Sequence, residues 1–338
     1  MSGMSRSRVR FAFALSAAVT LAPAARAGND DELPVGNLAA MTGAAVTAKV
    51  SDASALWYNP AGLGSVERTH IDVSGTAYAL RFYSAPGLLQ STTGERDDGD
   101  VSEFVTVPSQ VAYARDLGRG FTLGLGYFAP QASNLLIRRS LTAGDAANQA
   151  EWQVAVGVNR VQHNFAAGLG LSLTPRARVG FSLIGTYETE RQSASVVAVM
   201  SRNGVQNQLT ASSALGTFTR VGLEAGAGFQ LQLGRAVTLA LSARSPRFLV
   251  QQSSDATVSA AVVNLDDDTL VADLSEPKQG TTPLHVFRAG RATAGIAFEP
   301  SPGTWLSVDS TFNRASTTNA PASSARPSST AASAGTSW

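Results

Sequence analysis

The sequence predicts an all-β fold, a transmembrane antiparallel outer-membrane β-barrel, and three observations carry that prediction. Apolar and polar residues alternate with period 2 in segment after segment from His70 onward. Only 15% of residues are charged, against roughly 25% in an average soluble domain, yet past its first residues the chain has no apolar run of the about 20 residues that a helical span needs. Short turns alternate with long polar stretches, as short periplasmic turns and long external loops do in such barrels. A soluble β-sandwich also alternates, but it does not account for the low charge, the loop rhythm and the export signal together.

That signal opens the chain. Arg6, Arg8 and Arg10 form a basic region, Phe11 to Leu21 an apolar core, and Ala25-Arg26-Ala27 a cleavage site. Residues 1–27 therefore read as a secretory signal peptide, too short in its apolar core to be a membrane anchor. The chain has no cysteine and a net charge of +1, which excludes thiolate metal sites and gives no footprint for nucleic acid.

Gly36 to Val50 is rich in small residues, and its apolar stripe of Leu38, Met41, Ala45 and Val46 is too narrow to stand alone. Ser51 to Gly64 (SDASALWYNPAGLG) follows. Its Asn59-Pro60 pair fixes a turn, and Gly62 and Gly64 add permissive positions.

Nine strands are expected: Ile71 to Ala79, Val105 to Tyr113, Phe121 to Tyr127, Phe165 to Leu173, Val179 to Leu183, Val221 to Leu231, Val237 to Leu241, Val286 to Phe298 and Trp305 to Phe312. Most of them come close to the about 10 residues of a tilted membrane strand, with one face toward lipid and one toward a lumen. The short turns are 116–120, 174–177, 233–235 and 299–303; the long polar stretches are 83–103, 131–150, 191–215 and 251–283. Nine is odd, whereas single-chain bacterial barrels have even counts. Residues 314–338 are Ser/Thr/Ala/Pro-rich and cannot build a core, so a truncated or frame-altered C-terminus is expected.

Candidate sites outside this framework are few. His70, His163 and His285 lie near strand ends without metal spacing, which fits interfacial or loop roles. Ser172 or Ser182 with His163 would be needed for a barrel lipase, but neither serine stands in a G-x-S-x-G elbow. Gly124-Leu125-Gly126 imitates a dinucleotide fingerprint without the following helix; small lumen-facing residues or a strand kink fit better. The acidic clusters Glu95, Asp97, Asp98, Asp100 and Asp266, Asp267, Asp268 read as external loop charge, with divalent bridging to lipopolysaccharide as a minority alternative. Arg138-Arg139 are placed to greet a ligand carboxylate at the mouth.

The chain resembles the FadL/TodX family of outer-membrane transporters for long-chain fatty acids and other hydrophobic compounds. The residues that carry the resemblance are Gly43-Ala44-Ala45, Asp52-Ala53-Ser54-Ala55 and Tyr58-Asn59-Pro60-Ala61-Gly62-Leu63, between signal peptide and first strand. Later echoes are Gly124 to Pro130 (GLGYFAP) and Pro283 to Gly290 (PLHVFRAG), and the likeness covers roughly residues 36 to 313. It implies a 14-stranded barrel, here short of its final strands, closed by an N-terminal plug at 28–64, with barrel strands over 65–313. Asn59, Pro60 and Ala61 match the family's plug motif. It also implies an external groove, a pocket near the plug and a lateral opening beside a kinked strand, for which Gly124 and Gly126 on the third strand are the expected place. The function so implied is facilitated diffusion of long-chain fatty acids or other hydrophobic compounds, with no cofactor and no catalysis. The partners are the ligand, outer-membrane lipid and lipopolysaccharide, and the barrel-assembly machinery. A polar-solute porin is the alternative, and an outer-membrane lipase the more distant one.

Overall fold

The computed structural model describes residues 34–84, 86–90, 94–145, 148–264, 269–274, 278–280, 286–301 and 304–313. The signal peptide, the first residues of the expected plug, Asp266 to Asp268, His285 and the 314–338 tail lie outside the described residues.

A compact segment comes first. It holds helix α1 (Asn37–Thr42), helix α2 (Ala55–Tyr58) and a 3-10 helix (Pro60–Ser65). The strands follow in order: β1 (His70–Tyr83), β2 (Leu89–Gln90), β3 (Arg96–Asp97), β4 (Val101–Gly118), β5 (Phe121–Gly144), β6 (Asn148–Ser172), β7 (Ala177–Arg202) and β8 (Val205–Leu233). The remainder are β9 (Val237–Arg244), β10 (Arg247–Asn264), β11 (Thr269–Leu274), β12 (Lys278–Gly280), β13 (Val286–Arg288), β14 (Arg291–Ser301) and β15 (Thr304–Asn313).

All but the β2–β3 hairpin join one curled antiparallel sheet, a half-barrel, in the order β1-β4-β5-β6-β7-β8-β9-β14-β15. β9 and β10 are one upward pass broken at Ser245-Pro246: β9 pairs with the Gly226–Leu233 half of β8, and β10 with its Gln208–Leu223 half. Proline has no N–H to give a ladder, so the break falls there. The downward return through β11, β12 and β13 pairs with β10, and β14 pairs with β9. Among the described residues the strands make nine passes, the number expected from the sequence. Among the described residues, no pairing joins β1 to β15.

Strand length corrects the sequence reading. β5 to β8 run to 24, 25, 26 and 29 residues. Most of 131–150, 191–215 and 251–264, read from sequence as loops, is strand. These stretches are polar, but they still alternate and are rich in Thr, Ser and Val, so the ladder satisfies their backbone as well as it does below. The connection between β7 and β8 is tight instead. Asn203 and Gly204 both have positive φ (53° and 74°), the two-residue turn that matches strand twist. A 26-residue strand is about 85 Å long at about 3.3 Å per residue. Even tilted, it far overruns the roughly 25 Å apolar band of an outer-membrane wall.

Burial shows which face does what. On β7, Phe181 is 65% and Leu183 50% exposed, while Ser182, Ile184, Thr186 and Glu188 between and beyond them are buried. Leu125, Phe165, Leu169, Leu223, Leu241, Ile296 and Val308 extend the same exposed apolar surface across the sheet. The opposite face buries Gln110, Thr122, Gln162, Asn164, Glu224, Gln230 and Arg244. A wall that is apolar outside and polar inside is the inverse of a water-soluble protein and the pattern of a membrane barrel. Its upper limit is an aromatic belt. Tyr127 lies 5.5 Å from Phe165 and 5.9 Å from His163, His163 lies 6.3 Å from Tyr187, and the Tyr127 hydroxyl meets His163 Nδ1 at 2.8 Å. Such amphipathic rings settle at the headgroup level.

Candidate functional site

The segment 34–66 lies on the inner face, and the wall beneath it is built from glycine. A Cβ at Gly228 would fall 1.9 Å from Asn59 Oδ1, at Gly180 2.2 Å from the Pro60 carbonyl, at Gly170 2.4 Å from Gly64 N, and at Gly168 2.7 Å from a Leu56 methyl. The segment therefore lies directly on the strand backbone, backbone to backbone at Gly170 and Gly180 and through the Asn59 and Leu56 side chains at Gly228 and Gly168. Gly124 belongs to this bed, 3.1 Å from Leu56 and Leu63 by the same measure.

Asn59 is the fastening. Its Oδ1 accepts from Ala61 N (3.2 Å), capping the 3-10 helix, while Nδ2 donates to Thr47 O (2.9 Å) and to Phe229 O on the wall (3.3 Å). Pro60 fills the first helical position, where its missing N–H costs nothing. The other ties are also polar. Gln230 Nε2 donates to Thr47 O and Val50 O (both 3.2 Å), Ser242 to Tyr58 O (2.7 Å), and Asp72 and Asp309 accept from Ala53 N (2.9 Å) and Thr47 N (2.8 Å). Lys49 pairs with Glu299. Since β1 carries Asp72 and β15 carries Asp309, residues 47–53 tether both edges of the sheet.

Charge is concentrated above this bed. Glu224 on β8 accepts from Arg244 Nη1 and Arg247 Nε, both at 3.1 Å, and all three side chains are buried. The Arg244 guanidinium stands 4.1 Å from the centroid of the Trp57 ring, whose other neighbour is Phe128 at 5.6 Å. One level higher, Glu188, 1% exposed, pairs with Arg160 (3.2 Å) and Arg220 (2.7 Å), and Arg220 also reaches Glu190 (2.9 Å).

Beyond this collar the polarity of the wall inverts. The β6–β7 ladder has no register shift, so facing can be followed strand by strand. The inner face now carries Val154, Val156 and Val158 on β6, opposite Val196, Ala194 and Gln192 on β7. Leu135 and Ile137 on β5 and Val258 and Val262 on β10 widen it. The outer face at the same level carries Gln153, Asn159, Arg191, Ser193 and Ser195. An apolar trough thus rises beyond the aromatic belt. Part of it is covered: the β2–β3 hairpin packs on β5, where Ile137 is 8% exposed and Arg139 Nε lies 3.8 Å from Asp97. Arg139 also donates to Asp100 O. In the hairpin, the Gly87 N–H (2.6 Å) and Arg96 Nε (3.1 Å) hold the Asp98 carboxyl below its ordinary pKa of 3.8.

The wall also parts near the bed between β4 and β5. β4 pairs with β5 only as far as Gln110 opposite Phe128. Above it, β4 pairs with β1 and β5 with β6, among the described residues. β5 itself loses register with β6 between Phe128 and Gln131, around Ala129-Pro130, and the alternation gives way to burial from Phe128 to Ala132.

Of the residues singled out from sequence, Asn59, Pro60 and Ala61 lie together at the bed. Gly124 and Gly126 are laddered on both sides, to Ala114 and Gly168 and to Ala112 and Ala166, below the discontinuity. Arg138 points outward, and Arg139 is engaged by the acidic hairpin. Ser172 and Ser182 face inward and His163 outward, so the lipase pairing does not form; Ser172 donates to Gly64 O and His163 meets Tyr127. His70 pairs with Asp72 at 3.1 Å. Sequence reasoning missed the roles of Trp57, Glu188 and Arg247. Glu224 and Arg244 were visible as charges on the polar side of an alternating strand, the signal that could have found them.

No protein-family model and no curated protein matches the chain. Among solved structures it is similar to the TodX deltaS2S3 mutant monoaromatic hydrocarbon channel, at 14% identity and TM-score 0.48 over 77% of this chain and 65% of that one. It is also similar to a Pseudomonas aeruginosa FadL homologue, at 9% identity and TM-score 0.32 over 84% and 91%. A third is the Ralstonia pickettii toluene transporter TbuX, at 11% identity and TM-score 0.27 over 85% and 95%. The chain thus spans slightly less than two thirds of the first of these.

Proposed function

We propose that this chain is an outer-membrane transporter that lets long-chain fatty acids or other hydrophobic compounds diffuse across the membrane. The observation that carries the reading is the inversion of wall polarity at the aromatic belt. A water-filled pore has no use for an apolar inner face outside the membrane, whereas a hydrophobic ligand arriving from water gains about 0.8 kcal/mol for each CH₂ it buries there. Below the trough, the charged collar and the seated 34–66 segment oppose straight passage, because an apolar molecule would have to displace paired charges. The segment 28–64 acts as the plug in this reading, with Asn59, Pro60 and Ala61 as its fastening. The lateral exit lies where β5 leaves β4 at Phe128–Gln131, a few residues above Gly124 and Gly126.

The test is uptake of labelled oleate by a Gram-negative host lacking its own fatty-acid transporter, normalised to folded protein in the outer membrane. Uptake above the empty-vector level supports the reading. Deletion of 36–64 separates it from a porin: ion conductance should rise sharply in a blocked transporter and change little in an open porin.

A further inference from the structure

On the lipid-facing side of β8, β9, β14 and β15 lies a groove of about 460 Å³. Leu231, Leu239, Leu241, Ile296 and Val308 form its sides, and Ala294, with a single methyl group on this face, leaves its floor low. It belongs to the lower part of the wall, because Leu231 and Leu239 face each other just above the Gly234-Arg235-Ala236 turn. Three of the four short turns on this rim carry an exposed arginine, Arg119, Arg176 and Arg235, whereas the fourth, 299–303, carries Glu299. Among the described residues, none of the three makes an ion pair. Arg176 and Arg235 flank the same end of β8, since Arg176 O accepts from Gln232 N at 2.8 Å.

Resting on the membrane reading above, we infer that this groove is a binding site for an anionic phospholipid. One acyl chain lies between the β9 and β14 side chains, and the phosphate sits at the rim between Arg176 and Arg235. The groove alone would accept any acyl chain. The two guanidiniums at headgroup depth select the charge, because each basic residue close to a lipid surface favours an anionic headgroup roughly fivefold.

Brominated-lipid quenching of an introduced tryptophan tests this in bilayers of defined composition. Ile296→Trp reports from the groove and Phe181→Trp, on β7, from lipid-facing wall away from it, with the parent chain's own tryptophans subtracted. At position 296, brominated phosphatidylglycerol should quench at least fivefold more effectively than brominated phosphatidylcholine, and Arg176→Gln with Arg235→Gln should abolish the preference. At position 181 the two lipids should quench alike. Equal quenching at 296 overturns the proposal and leaves the membrane reading intact. Absence of quenching at both positions overturns the two together. Quenching at 181 alone, with a dimeric native mass, assigns the groove to a second copy. Bound phospholipid counted by phosphorus assay on the purified parent chain gives a readout without the tryptophan variants: retained phosphatidylglycerol that Arg176→Gln with Arg235→Gln loses supports the site, and its absence counts against it.

Discussion

Gly228→Ala replaces one hydrogen with a methyl group on the inner wall, and the new carbon would sit 1.9 Å from Asn59 Oδ1. The β8 backbone is laddered on both sides there, to Gly180 on β7 and Ser242 on β9, so it cannot retreat. Asn59 must move instead, and its three hydrogen bonds go with it. Thr47 O keeps Gln230 as a donor, but the buried Ala61 N–H loses its acceptor. At about 1–3 kcal/mol for a buried unsatisfied group, plus the lost bond to Phe229 O, the expected loss is about 2–5 kcal/mol. The assay is a double-mutant cycle with Asn59→Ala, read by denaturant unfolding in detergent and by protease cutting within 34–66. Asn59→Ala removes the atom that the methyl group strikes, so the double variant should be little worse than Asn59→Ala alone, a strongly non-additive result. Gly185→Ala, whose Cβ would meet nothing closer than 3.9 Å, is the neutral control. Additive losses from Gly228→Ala and Asn59→Ala would refute the reasoning, because they would mean that the two positions do not touch.

Two further outcomes follow from charge. Glu224→Gln removes the carboxylate that both Arg244 and Arg247 engage, leaving buried guanidiniums without their counter-charge; a loss of about 3–5 kcal/mol in unfolding free energy is expected, whereas Glu151→Gln, on the exposed outer face, should change little. Asp98 is more acidic in the folded hairpin than in the open chain, because it accepts the Gly87 N–H and the Arg96 guanidinium. Its contribution is therefore fully present above the ordinary value of 3.8 and is lost as pH falls through the lower folded value. The protection factor of the Gly87 amide, its exchange rate measured against the intrinsic rate at each pH, should hold at pH 5 and fall as acidification protonates Asp98 below its ordinary value of 3.8, and Asp98→Asn should remove that dependence.

Much of the fold was legible because period-2 patterning is strong wherever one face meets lipid: Phe181 and Leu183 against Ser182 announce themselves. The tight turns were legible from Gly and Pro. Strand length was not, because above the aromatic belt both faces contain small and polar residues. Ser193, Ser195 and Thr210 read as loop by composition although they are laddered throughout. The inversion of facing is a change of phase: Val154, Val156 and Val158 keep period 2 but fall on even positions where Phe165, Ala167 and Leu169 fall on odd ones, and the unbroken β6–β7 register shows that they point inward. At the site, Asn59-Pro60 stood out as a turn, but the glycine bed is assembled from four strands far apart in sequence. No local window contains both Asn59 and Gly228.

The account depends on the apolar trough receiving the ligand, and one comparison tests that directly. Val156→Asp puts a charge on the inner face and Ser195→Asp puts one on the outer face of the adjacent strand at nearly the same level. Uptake of labelled oleate, normalised to folded outer-membrane protein, should fall several-fold for Val156→Asp and remain at the parent level for Ser195→Asp. Equal uptake by the two variants would contradict the trough as the ligand's entry surface and the transport reading built on it.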